Sequence, residues 1–385
     1  MDAVNRECSP AALSWLARLV ECETVSGTAS NLALLELVAS ALRNLGFALR
    51  YTYSDDRERA NLYASHGGDQ GGILFSGHTD VVPVSGQDWS RPPFELSREG
   101  ERVYGRGVCD MKGFLACVLA VLERADLKSL GRPVHVAFTF DEEIGCIGVR
   151  SLLEDLCAFS IKPDACIVGE PTGMRVVRAH KGRHALRCTV QGRAEHSSLS
   201  GLGVNAAEVA CELAAEISAQ AAALARSFID EDFYVPFSTM AVCRFHSGTA
   251  TNVIPEKAEF DFDLRFLPSA KPDEILAPLY AKAEELERRM RGKVDSSRVT
   301  LARRTAVPAL LPGDDEDLLV AQLFRAGAES GTHVAFTTEG GLYQAAGIPT
   351  VICGPGDIAQ AHTADEFIAI GQLAVCESVI QRLLL

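Results

Sequence analysis

Val134-His135-Val136-Ala137-Phe138-Thr139-Phe140 is almost continuously apolar and stops abruptly at Asp141-Glu142-Glu143. A strand with one wet face alternates polar and apolar side chains. This run does not, so it reads as a strand buried on both faces, inside a sheet sandwiched by helices. Ala165–Val168 and Thr350–Cys353 have the same character, and shorter β-rich runs occupy 47–53, 60–65 and 72–76. Apolar positions recur at helical spacing over 10–22 and over 30–45, the second run closing at Gly46. Lys112–Ala125 reads as an apolar helix between two of the strands. The first 178 or so residues are therefore α/β.

The middle of the chain follows a different pattern. Arg183–Gln191, Thr239–Ser247 and Lys257–Phe266 read as strands of mixed polarity, as when one sheet face meets solvent. Gly203–Ala225 is a long Ala-rich helix, Glu274–Arg291 a charged amphipathic helix, and Arg298–Arg303 a short last strand. The order βαββαβ is that of a ferredoxin-like α+β unit. A helix over Asp315–Ala328, then strand and helix, returns to the first pattern. The expected organisation is an α/β domain in two pieces, 1–179 and 305–385, with an insert at 180–304.

The chain has 385 residues, 47% of them hydrophobic and 23% charged, which is a globular composition. Its 37 Lys and Arg face 51 Asp and Glu, a net charge of −14 that repels nucleic acid and anionic membranes. A small molecule is the expected partner. No run of some 18 apolar residues suggests a membrane span. The opening Met-Asp-Ala-Val-Asn-Arg-Glu-Cys is polar and acidic, unlike a signal peptide. Twelve scattered cysteines without a C-x-x-C pair read as small hydrophobes of a reducing compartment, so the expected location is cytoplasmic.

Chemistry-bearing residues cluster where the buried strands end. Gly77-His78-Thr79-Asp80 follows Ile73–Ser76, Asp141-Glu142-Glu143 follows the opening strand, and Gly169-Glu170-Pro171-Thr172 follows Ala165–Val168. A Gly/Pro-rich loop runs from Cys353 to His362, and Gly105–Gly113, with Asp110 inside it, leads into a helix. Ligands of open α/β sheets bind beyond the carboxyl ends of the strands, so all of these fall on one rim. Any one of them alone reads as a solvated strand end or a charged turn. Together, two imidazoles and several carboxylates suit a borderline divalent metal, and are enough for two ions sharing a bridging carboxylate. Nucleophile-elbow, Walker, H-E-x-x-H and dinucleotide G-x-G-x-x-G motifs are all missing.

With those residues assembled, the sequence resembles the M20 family of dinuclear metallohydrolases over nearly its whole length. The matching strings are Ser76–Pro83, Gly105–Gly113, Asp141–Gly145, Gly169–Thr172 and Gln360-Ala361-His362. The resemblance implies a mixed-sheet catalytic domain with an inserted dimerisation and lid domain. It implies that His78, Asp110 and Glu170 hold one divalent ion, while Asp110, Glu143 and His362 hold the other. Zn²⁺ is the expected metal, with Co²⁺ as the alternative. Glu142 is then the general base, Asp80 orients His78, and a cis peptide follows Asp110. In the insert, His196 is expected to polarise the scissile carbonyl and Asn252 and Arg265 to hold the substrate's α-carboxylate, Arg being able to grip it with two N–H groups. The implied assembly is a homodimer through the insert.

Phe336–Gly341, Cys109–Gly113 and Gly354–His362 look most like the branch of the family that deacetylates N2-acetyl-L-ornithine in arginine biosynthesis. Glu339 would then meet the substrate's side-chain amine. Three other readings compete. They are a different N-acyl-amino-acid hydrolase of the family (a succinyl-diaminopimelate desuccinylase or a citrulline deacylase), a thiol enzyme using Cys109, and a metal-binding module that does not hydrolyse. A module of that last kind would be expected to lack the base or a ligand.

Overall fold

The structure, a computed structural model, describes residues 7–314 and 317–385. Asp315 and Glu316, with which the expected Asp315–Ala328 helix begins, lie outside the described residues. The chain divides into two compact units, one of Met1–Ala179, Leu310–Thr332 and Thr338–Leu385, the other of His180–Ala309 and His333–Thr337.

The first unit is built on a six-stranded mixed sheet. Its order is Ala48–Tyr53, Ala60–His66, Val134–Thr139, Ile73–His78, Ala165–Pro171 and Thr350–Gly354. The last four of these are mutually parallel, and the first two add antiparallel at one edge. Val134–Thr139 and Ile73–His78 are buried at every position, as the opening run predicts. Lys112–Arg124 is buried on all sides from Lys112 to Leu122. It packs against Pro10–Val20 and Ile370–Leu384, which present apolar stripes to it. Pro10–Val20 begins where the Ser9 hydroxyl accepts the Ala12 N–H at 3.1 Å, with proline at the first helical position.

The sheet closes over that helix with little clearance. A Cβ on Gly169 would stand 2.0 Å from the Phe114 ring, so the strand carrying Glu170 passes only because Gly169 has no side chain.

In the second unit, Thr239–Ser247, Lys257–Phe266, Gly182–Gln191 and Arg298–Val307 form one antiparallel sheet in that order. Helices Ala206–Ser227 and Pro272–Arg291 cover one face, giving the β-α-β-β-α-β order along the chain. Lys257–Phe266 alternates strictly, with Phe260, Phe262, Leu264 and Phe266 in the core and Asp261, Asp263 and Arg265 on the other face.

The last strand runs to Val307 rather than Arg303. A register shift between Arg303 and Thr305 lets it continue pairing as far as Arg183, which carries this unit to Ala309. A two-residue pairing that periodicity does not reveal joins Glu195-His196 to Val253-Ile254.

Candidate metal centre

The carboxyl ends of the parallel strands bring five polar side chains together. His78 is the last residue of its strand and is 1% exposed. Its Nδ1 stands 2.8 Å from the Asp80 carbonyl oxygen, which can only accept, so Nδ1 carries the proton and Nε2 faces the site. Nε2 lies 3.0 Å from Asp110 Oδ1 and 3.7 Å from Glu170. From the far side, His362 Nε2 lies 3.2 Å from Asp110 Oδ2 and 3.0 Å from Glu143. Asp110 thus offers one oxygen to each imidazole, the arrangement a bridging carboxylate requires. The Asp110–Met111 peptide is cis.

These spacings fit metal ligation. Ligand atoms at 2.0–2.2 Å around a tetrahedral ion stand roughly 3.3 Å apart, close to the 3.0–3.7 Å found here. His78, Asp110 and Glu143 can bring donor atoms within 4.8 Å of one another, and so can His78, Glu142 and Glu170. Glu142, expected to act only as a base, is therefore also within donor range.

The electrostatics call for added positive charge. Burial, with Glu143 and Glu339 adding negative charge, pushes the Glu142 carboxyl up to about 8. Burial and Asp110 raise Glu143 to about 7, and burial raises Glu170 well above the carboxylate range. Burial would raise Asp110 too, but hydrogen bonds from His362 and His78 hold it below its ordinary value. Contacts with Asp110 and Glu143 lift His362 to about 10. So many buried acids ionise together only beside a compensating charge, which a divalent cation provides.

Two anchors shape the loops around this cluster. Asp80 was expected to orient His78. Its carboxylate Oδ1 is 3.6 Å from Nδ1, and the shorter contact to the ring comes from the Asp80 main chain. The carboxylate itself accepts the Ser26 hydroxyl at 2.6 Å and the N–H groups of Glu142 and Glu143 at 3.1 and 3.3 Å. It therefore holds the two-glutamate turn as well. Asp141 holds the same turn in the left-handed region, at φ +54°, by accepting from Gly27 N and Arg59 Nη1.

The second anchor, Glu366, escapes sequence reasoning. It is 1% exposed and accepts the N–H groups of Gly107, Cys109 and Asp110 and a 2.8 Å bond from Arg106. Its only sequence signal is an acid directly before the apolar run Phe367–Ala369.

A competing reading fails here, and one expected site residue lies off the rim. Cys109 is 1% exposed, its thiol donates to the Asp357 carbonyl, and burial drives it far above the thiolate range, so it is no nucleophile. Glu339 lies beneath the rim, 1% exposed, with both carboxylate oxygens enclosed beside the Thr139 and Ser76 hydroxyls. Burial pushes it up to about 7. So enclosed, its carboxylate does not reach the open rim in this structure.

In the second unit, the structure joins His196 to Asn252 and separates Asn252 from Arg265. His196 is exposed, its Nδ1 lies 2.7 Å from the Ser198 hydroxyl, and the next residue's N–H donates to the Asn252 carbonyl at 2.9 Å. Arg265 donates to Asp263 at 2.7 Å and to Thr337 at 3.1 Å. It sits eight residues along the strand from Lys257, roughly 27 Å at the rise of a strand. Asn252 precedes Lys257 at the other end. These two residues of one chain therefore do not converge on one carboxylate.

Residues 74–385 match peptidase family M20/M25/M40. The acetylornithine deacetylase of Klebsiella pneumoniae (strain 342) is 34% identical over 340 residues, covering 88% of this chain and 86% of the relative. That of Pasteurella multocida (strain Pm70) is 32% identical over 88% of this chain and 87% of its own length. Among solved structures, the M20 family metallo-carboxypeptidase Sso-CP2 of Sulfolobus solfataricus superposes with a TM-score of 0.78 at 19% identity, covering 98% of this chain and 99% of that one. Aminopeptidase PepT of Bacillus cereus ATCC 10987 gives 0.74 at 18% identity, with 99% of each chain covered. Strand order, the acid-and-imidazole rim and these matches agree, and the chain belongs to peptidase family M20/M25/M40, a family of metallohydrolases.

Proposed function

We propose that the protein hydrolyses the N-acyl amide of an amino acid, with N2-acetyl-L-ornithine as its substrate and acetate and L-ornithine as products. The observation that carries this reading is Asp110 facing one imidazole with each oxygen, beside a turn that presents two adjacent glutamates. The acetylornithine deacetylases among its relatives support the choice of substrate.

His78, Asp110 and Glu170 would hold one divalent ion, and Asp110, Glu143 and His362 the other. When bound, such ions make water a stronger acid and polarise an acyl carbonyl. Glu142, ionised beside the bound ions, would take a proton from the attacking water and return it to the amide nitrogen as the C–N bond breaks. The acetyl carbon keeps the water's oxygen, and ornithine leaves with the proton. Arg265 is steadied by Asp263 and Thr337, keeps Nη2 free among the described residues, and binds the substrate's carboxylate. His196, with Asn252 beside it, donates to the developing oxyanion.

The protein works as a homodimer in which His196 and Asn252 serve the partner's site. The length of the Lys257–Phe266 strand, which separates Asn252 from Arg265, supports this. The twelve free cysteines suit a reducing compartment such as the cytoplasm.

The test is a panel of N-acyl amino acids assayed with metal-free protein and with protein reloaded with Zn²⁺ or Co²⁺. Activity restored by metal and greatest on N2-acetyl-L-ornithine is expected. A preference for a succinylated substrate or for acetylcitrulline would move the protein to another branch. Activity that chelators leave intact would overturn the reading.

A further inference from the structure

At the opposite end of the strand that leads into Asp141-Glu142-Glu143, three arginines line a cleft of about 410 Å³. Arg132 lies just before the Val134–Thr139 strand, Arg325 in the last turn of the Asp317–Ala326 helix, and Arg382 in the last turn of Ile370–Leu384. Gly131, Gln322, Ala326, Leu383, Leu384 and Leu385 complete its walls. The six-residue strand places the cleft roughly 20 Å from the acidic turn, within the same unit.

The cationic groups here are held but not neutralised. Arg132 donates to Gln322 Oε1 at 3.1 Å and to the Leu383 carbonyl at 2.6 Å. Arg325 Nε donates to the Ala321 carbonyl at 3.2 Å, and Arg382 Nη1 to the Ala326 carbonyl at 3.1 Å. Each guanidinium carries five N–H donors, so most of the fifteen remain unused. Among the described residues, none of the three makes an ion pair. The carboxylate that acts on Arg132, Asp164, instead accepts the Gly72 N–H at 2.9 Å. A chain with a net charge of −14 has acids to spare, yet among the described residues none pairs with these arginines.

We propose that this cleft binds a small organic anion carrying two or more negative charges, a phosphate monoester or a polycarboxylate. Its oxygens engage the guanidinium forks, and its carbon body lies along Leu383 and Leu384. The cleft's volume suits a metabolite-sized molecule. Nucleic acid and lipid surfaces are disfavoured, because the rest of the chain repels them. The site is separate from the metal centre.

A purely structural role, in which Arg325 and Arg382 only complement their helix ends, predicts lost stability on substitution and no response to anions. The experiment separates the two. Glycerol 2-phosphate and tricarballylate, both weak metal chelators, are titrated by calorimetry into the metal-loaded protein at constant ionic strength set by chloride. The same titrations use Arg325→Gln/Arg382→Gln and Glu142→Ala. Both arginines of the double variant are exposed, so it is expected to fold and to hydrolyse its substrate as before.

Saturable binding of either probe to the wild type, weakened at least tenfold in the double variant and unchanged in Glu142→Ala, is the expected result. The preferred probe identifies phosphate or carboxylate chemistry. No saturable binding below 10 mM, binding that the double variant keeps, or binding that Glu142→Ala loses would overturn the proposal.

Discussion

Glu142 and Glu143 adjoin in one turn, and both lie within donor range of the metal-binding cluster. Glu142→Ala is expected to keep both ions by elemental analysis while losing about 10²–10⁴-fold in turnover, the usual worth of a general base. Loss of metal in step with activity would exchange the roles of the two residues. Glu339 offers a different test. Unfolding returns its carboxyl to the ordinary range, so above about pH 4.5 the unfolded chain gives up a proton that the folded chain retains until about pH 7. Its contribution to stability therefore falls as pH rises through that window. Glu339→Gln removes this titration, and in urea unfolding of the metal-free protein it should gain on the wild type by about 2–3 kcal/mol between pH 5 and pH 8. It should not discriminate acetylornithine from acetylmethionine. The five rim residues were legible because each is a polar group near the end of an apolar run, or on the loop entering a helix between two such runs. Glu366 was not, since its work is to accept main-chain N–H groups of a loop 256 residues away. Nor was the burial of Glu339, because a Gly-flanked acid looks the same in sequence whether it lies on a rim or beneath it.

At the scale of elements, the contact between the Ala165–Pro171 strand and the Lys112–Arg124 helix sets where Glu170 stands. Gly169→Ala would drive a methyl group into the Phe114 ring. It should cost about 1–3 kcal/mol or more in denaturant unfolding, as overpacking does, and weaken metal retention as Glu170 shifts. Gly201→Ala, where a Cβ meets open space, is the control and should stay within about 0.5 kcal/mol. The buried strands could be read from the sequence because a strand covered on both faces has no polar positions to confuse the pattern. The true end of Arg298–Val307 could not, because a register shift breaks the alternation on which such a reading depends. The His196–Val253 pairing is two residues long, too short for any period to show.

For the whole molecule, the shared-site proposal makes a complementation experiment decisive. A Glu142→Ala subunit and a His196→Ala subunit should each be inactive alone. In their heterodimer one site combines the intact Glu142 of one chain with the intact His196 of the other, and the second site lacks both. Activity approaching half that of a wild-type dimer, per heterodimer confirmed by mass, is expected on subunit exchange. No recovery would place His196 in its own chain's chemistry or in none.

The bipartite make-up of the first unit also bears on how the protein is born. His78, Asp110, Glu142, Glu143 and Glu170 all precede the segment forming the second unit, whereas His362 and the anchoring Glu366 follow it. A ribosome therefore delivers all of one proposed ligand set and two members of the other, translates an entire intervening unit, and only then supplies the last imidazole and the carboxylate that fixes the Asp110 loop. For much of synthesis the nascent chain carries an acid-rich half-site with a single imidazole and no closing strand, since Thr350–Gly354 is also still to come. On the proposed ligand assignment, loading of a second ion would be tied to the final stretch of translation, and a chain stalled before His362 would be left with its acids uncompensated.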